Sequence, residues 1–214
     1  MTILEKILGR VRVRVKETER VIVLHKGQVH DILAAGEHML RGKAGDMELI
    51  RHDIGAVAFA SPYEKALFDR LPDVAARHLQ VFRTSDAQVA VIERDGEIHA
   101  VLAPNGKLVV WHDAGPWAVT HYDVAAEIGV EAKLLRRLVR GRRTEHVALV
   151  TVQQGQVALV FADGVHVRTV EAGSYGYWTV GRQVTAKMVD LKRQPLDVTG
   201  QELLTRDIER LALE

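Results

Sequence analysis

Short apolar runs with alternating polar positions dominate the chain, and long helical stripes are few. Arg10-Val11-Arg12-Val13-Arg14-Val15 alternates strictly, so its valines are expected to face a core and its arginines water. Similar runs rich in Val, Ile and Leu recur downstream, and they keep step. Gln88-Val89-Ala90-Val91-Ile92-Glu93-Arg94-Asp95-Gly96 aligns without gaps to Gln156-Val157-Ala158-Leu159-Val160-Phe161-Ala162-Asp163-Gly164. Glu19 to Gly27 matches both in pattern. The closing glycines, Gly27, Gly96 and Gly164, stand 69 and 68 residues apart.

Later landmarks hold the same spacing. A second glycine follows in each set, Gly36, Gly106 and Gly173. Asp53-Ile54, Asp123-Val124 and Asp190-Leu191 each come 17 residues after it. Five residues after the second glycine stand Arg41, Trp111 and Trp178. Each set opens on a further strand-like run: Val11 to Val15, Leu79 to Phe82 and Val147 to Val152. Asp95-Gly96 and Asp163-Gly164 are hairpin signals, because glycine supplies the positive φ of a tight reversal.

The pattern predicts a mainly β (α+β) chain of three tandem four-stranded units of about 68 residues, joined by short helical connectors. The expected division is 1–54 with a short amino-terminal helix, connector 55–78, unit 79–124, connector 125–146, unit 147–191 and a partly helical tail 192–214. Ser61-Pro62 reads as a cap and first-turn proline before Tyr63 to Arg70, and Pro72 to His78 follows as a second helical run. Val130 to Arg140 sets Leu134, Leu135 and Leu138 on one helical face. Ile3, Leu4, Ile7 and Leu8 also share a face, as an interfacial anchor or as a helix docked on the body.

Composition narrows the function classes. The 29 basic and 28 acidic residues give a formal net charge of +1, so no general attraction to nucleic acid is expected. With no cysteine, disulfides, thiolate metal sites and cysteine nucleophiles are excluded. No apolar run reaches the roughly 18–20 residues of a bilayer-spanning helix.

Candidate chemistry is sparse. His52-Asp53 resembles the His-Asp pair of metal-dependent phosphohydrolases, but Asp53 aligns with Asp123 and Asp190 while His52 aligns with Tyr122 and Val189. The aspartates therefore read as structural, bracing strand ends through backbone N–H groups. Among ten histidines, His25 with His30, or His30 with His99, are the pairs a metal would need, without the helical spacing or the cysteines that usually support one. Gly173-Ser174-Tyr175-Gly176 lacks the spacing of a nucleophile elbow. No phosphate-binding glycine motif occurs. No catalytic residue, metal or cofactor is expected. Lys133, Arg136, Arg137, Arg140, Arg142 and Arg143 form one basic cluster. It either complements a helix carboxyl end or reads an anionic partner such as lipid headgroups or an acidic protein.

Val189-Asp190-Leu191-Lys192-Arg193-Gln194-Pro195-Leu196-Asp197-Val198-Thr199-Gly200-Gln201-Glu202-Leu203-Leu204-Thr205-Arg206-Asp207 carries a further signal. Together with Ala172 to Trp178, it resembles the start of the SPFH (band-7) domain, and of the bacterial slipins in particular. Lys16 to Val21 and Ala35 to His38 look slipin-like more faintly. The match is strongest over 147–207 and covers only the amino-terminal part of that domain; the helical half and coiled coil of the family lie outside these residues. The resemblance implies a non-enzymatic, self-associating scaffold or binding module in the cytoplasm, peripheral to the inner membrane. Its partners would be protein or an anionic membrane surface. Alternatives are a soluble ligand- or peptide-binding repeat protein using grooves between units, or a metal-dependent hydrolase.

Overall fold

The computed structural model describes residues 10–191. Of these described residues 54% are strand and 17% helix, which is mainly β. The expected amino-terminal helix before Arg10 and the helical tail after Leu191 fall outside the described residues.

The first stretch holds β1 (Arg10–Val15), β2 (Glu19–His25), β3 (Gln28–Leu33), β4 (Gly36–Arg41) and β5 (Met47–Asp53). β1 pairs with β4, while β2 lies between β3 and β5 in a second antiparallel sheet. The alternation of β1 works as expected. Val13 and Val15 are buried with Val21 and Val23 of β2 and Leu33 of β3, in a core between the two small sheets. β2 is buried on both faces, because Ile22 and Leu24 enter a different cluster.

Two connector helices follow, α1 (Glu64–Arg70) and α2 (Pro72–His78), then β6 (Leu79–Arg83), β7 (Gln88–Arg94), β8 (Glu97–Leu102), β9 (Lys107–Trp111) and β10 (Trp117–Asp123). β6 pairs with β9, and the other sheet runs β10-β7-β8. A short β11 (Gly129–Val130) and α3 (Ala132–Arg140) lead to β12 (Val147–Val152), β13 (Gln156–Ala162), β14 (Val165–Val170), β15 (Gly173–Trp178) and β16 (Val184–Asp190). Here the sheets are β11-β15-β12 and β14-β13-β16.

Each stretch thus contains five strands, not the four expected. After the second glycine turn the chain runs through two strands that belong to different sheets. A 3₁₀ turn at Ala44–Asp46 separates the first such pair and one at His112–Ala114 the second. The sequence reads as one long run because both strands are apolar on their inner faces, and only the change of sheet distinguishes them. The hairpins between second and third strands share one geometry. Lys26 and Gly27, Asp95 and Gly96, and Asp163 and Gly164 all have positive φ, near 50° for the first residue of each pair and near 80° for the glycine. That is the pattern of a two-residue type I′ turn.

The described residues fall into two compact bodies. The first runs to Arg83 and adds Glu93–Gly96 and Gly106–Val119; the second holds Thr84–Ile92, Glu97–Asn105 and the residues from Thr120 on. The division cuts through the middle stretch and not through the connectors, because each connector helix is buried against strands on both sides of it in sequence. In the first body Leu67 of α1 and Ala75 of α2 pack with Ile22, Leu24 and Ile32 and with Leu79, Val109 and Trp111. In the second, Leu134, Leu135 and Leu138 of α3 pack with Val89 and Val91 and with Val147 and Trp178.

Candidate binding groove

α3 carries the basic cluster, and its sequence explains its pose. Leu134, Leu135 and Leu138 form a narrow apolar stripe facing the core. Its carboxyl end closes with Arg142 N–H donating to the Val139 carbonyl (3.1 Å) and Arg143 N–H to the Leu138 carbonyl (2.9 Å). Arg142 takes the left-handed φ of 53° that this closure requires, a position usually given to glycine.

The helix lies against β15 at Gly176. A Cβ added there would meet Leu135 Cδ1 at 2.5 Å and Val147 Cγ1 at 3.1 Å. Any larger residue would have to push Leu135 and Val147 aside. Gly176 pairs with Leu149 of β12, and Ser174 pairs with Thr151, so these four share one face of the sheet. Beside the helix no described residue covers that face. A groove of about 610 Å³ opens there, floored by Leu135, Val139 and Leu149 and edged by Thr151, Ser174 and Tyr175. Leu149 is 54% and Val139 48% exposed, which is unusual for aliphatic side chains that point at one concavity. Arg136 and Arg140 line the same groove.

The six basic residues are placed differently. Arg136 and Arg140 border the groove, and Arg140 is held by the Glu97 carboxylate at 3.0 and 3.1 Å. Lys133 and Arg142 are exposed, Arg137 is half-buried and engaged, and Arg143 has its Nε buried without a hydrogen-bond partner among the described residues. What the sequence missed is the apolar floor. Leu149 and Ser174 sit on separate strands, and nothing local marks them as neighbours of α3.

Two of the three aligned aspartates turn to backbone. Asp53 Oδ1 accepts from Gly55 N–H at 2.8 Å, and Asp123 Oδ1 accepts from Ala125 and Ala126 N–H at 3.0 Å each. Asp190 pairs with Gln156 at the sheet end. His52 is not joined to Asp53 in a site. Its ring packs against Trp111 (5.5 Å between centroids) and Phe59 (5.7 Å), as Tyr122 packs against Trp178 (5.9 Å). Burial pushes the His52 pKa down, and His78 is lowered by burial together with Arg20 and Arg77. His25 and His30 lie 6.2 Å apart as tilted rings, and no group of three or more metal-ligating side chains occurs among the described residues. The Tyr177 phenol is pushed up by burial, its hydroxyl has no hydrogen-bond partner among the described residues, and it packs in the core with Val150 and Val160.

Fold and groove together define a mainly β protein of small antiparallel sheets with a helix-walled apolar groove. No family model, curated protein or solved structure matches the chain.

Proposed function

We propose that the protein is a non-enzymatic binding module, a scaffold of the SPFH/slipin kind that self-associates and works peripherally at a membrane, and that the α3 groove seats a partner. The observation that carries the binding part is the exposed Leu149 and Val139 beside Arg136 in one concavity. Apolar floor with cationic rim suits an apolar group that bears negative charge, because burial supplies the affinity and the arginines the orientation. The same groove favours a soluble ligand- or peptide-binding protein as the second reading, with the site inside one body.

Anilinonaphthalene sulfonate, an apolar anion, is the probe that tests the groove. Saturable fluorescence enhancement that Leu149→Asp abolishes is expected. An enhancement indifferent to that change removes the groove reading. Light scattering after size exclusion tests self-association, and a strict monomer at high protein concentration removes that part.

A further inference from the structure

The two-stranded sheet β1–β4 has an outer face unlike its counterparts. Register relates them directly. Arg10 pairs with Arg41 as Leu79 pairs with Trp111 and Val147 with Trp178. Two residues along, Arg12 faces Met39 where the others have Val81 facing Val109 and Leu149 facing Gly176. Next, Arg14 faces Glu37. In β6–β9 and β12–β15 this face is apolar at the first two positions, with a connector helix packed on the first, and polar at the third, where Arg83 faces Lys107 and Thr151 faces Ser174. In β1–β4 it is a ladder of arginines.

We infer that the outer face of β1–β4 is a docking surface for an anionic lipid bilayer, a proposal that rests on the peripheral-membrane reading above. The same three strand positions would keep an end face hydrated with charge of either sign. Here they carry Arg10, Arg12, Arg14 and Arg41 against one carboxylate, Glu37, which Arg12 (3.2 Å) and Arg14 (3.7 Å) share. Met39, 46% exposed, stands among them as an apolar contact at the level of the guanidinium groups. Alternate residues of a strand lie about 6–7 Å apart on one face. The two strands therefore gather their cations on one face, and a surface of many phosphate and carboxylate headgroups can meet all of them at once, which a single acidic side chain cannot. Immediately upstream, Ile3, Leu4, Ile7 and Leu8 add apolar residues at the same end of the sequence.

Flotation of the full chain with phosphatidylserine-containing vesicles, against pure phosphatidylcholine, is the test. The expected result is binding to the anionic vesicles alone, lost at high salt. Arg12→Gln/Arg14→Gln should weaken partitioning by on the order of 30-fold, about 2 kcal/mol, from two cations at the surface. Glu37→Gln should strengthen it, and Lys133→Gln/Arg142→Gln, at the two ends of α3 and outside its groove, should leave it unchanged. Wild-type chain that stays with the neutral vesicles or does not float overturns the peripheral reading itself. Wild-type flotation that survives the β1 changes, or is lost only with the α3 changes, overturns the assignment of the face. Should the double variant misfold by circular dichroism, Arg41→Gln and Glu37→Gln decide the matter by opposite signs. Binding to an acidic protein or to RNA in place of vesicles also counts against it.

Discussion

The corner that Lys107 closes in the first body stands open at Ser174 in the second. Both residues lie four positions before a buried tryptophan, Trp111 or Trp178, on a strand against which a connector helix packs. Lys107 reaches the Glu64 carboxylate of α1 and its Nζ sits 5.4 Å from the centre of the Phe68 ring, so helix and sheet are joined across the gap. Ser174 is too short to do this, and α3 offers Val139 in place of an aromatic ring. Val109, buried in the first body, has Gly176 as its counterpart, which lets α3 come close at one point and leaves Leu149 bare beside it. Two similar packings therefore differ in function-bearing surface by three or four side chains. The core residues of the helices do not decide which one is open.

The largest expected effect tests that last statement. Leu67 and Leu138 are both fully buried on their helices, and truncation to alanine should cost each body about 2–5 kcal/mol. Urea melts of the two variants check it; a cost below about 1 kcal/mol at Leu138 would mean that the open body holds its helix loosely. Next in size is Gly176→Val, which forces Leu135 and Val147 aside. Overpacking of this sort costs about 1–3 kcal/mol, and probe binding in the groove should fall with stability.

Acid should separate the two bodies. His52 and His78 have folded-state pKa values below the ordinary 6.5, so the native state favours their neutral forms. Their contribution is complete above that pH and is lost as pH falls through the ordinary value toward the lowered one. Arg20 and Arg77 oppose protonation of His78, while Asp113 and Asp31 favour it. Tyr122 takes the place of His52 in the second body. Thermal melts from pH 7.5 to 5 should show a declining transition that His52→Tyr makes shallower; an unchanged slope would remove His52 from the account. The smallest effect is expected at the α3 terminus. Arg142→Gly relieves a left-handed arginine, and after glycine's own entropic cost the gain should be about 0.5–1 kcal/mol in the same melts.

Much of the strand framework could be read from spacing, since a two-residue turn needs the Asp-Gly pairs and alternation fixes which valines turn inward. Strand count could not, because the step from β4 to β5 is a change of sheet without a change of pattern. The basic cluster on α3 was visible as composition. Its division into groove-lining, paired and half-buried members was not, because Glu97, Leu149 and Ser174 lie 43, 9 and 34 residues from Arg140 and meet it only through packing. Likewise the arginines of β1 were legible as solvent-facing. Their meaning appears only when the register sets them against Leu79, Val81, Val147 and Leu149.

The central claim is that the open corner of the second body is a binding groove, and grafting the closed corner onto it tests this most directly. Val139→Phe/Ser174→Lys introduces the ring and the cation that fill the first body. Titration with anilinonaphthalene sulfonate should then show affinity reduced at least about tenfold, equivalent to about 1.4 kcal/mol, with the urea midpoint unchanged or raised. Undiminished binding by a folded double variant would contradict the account.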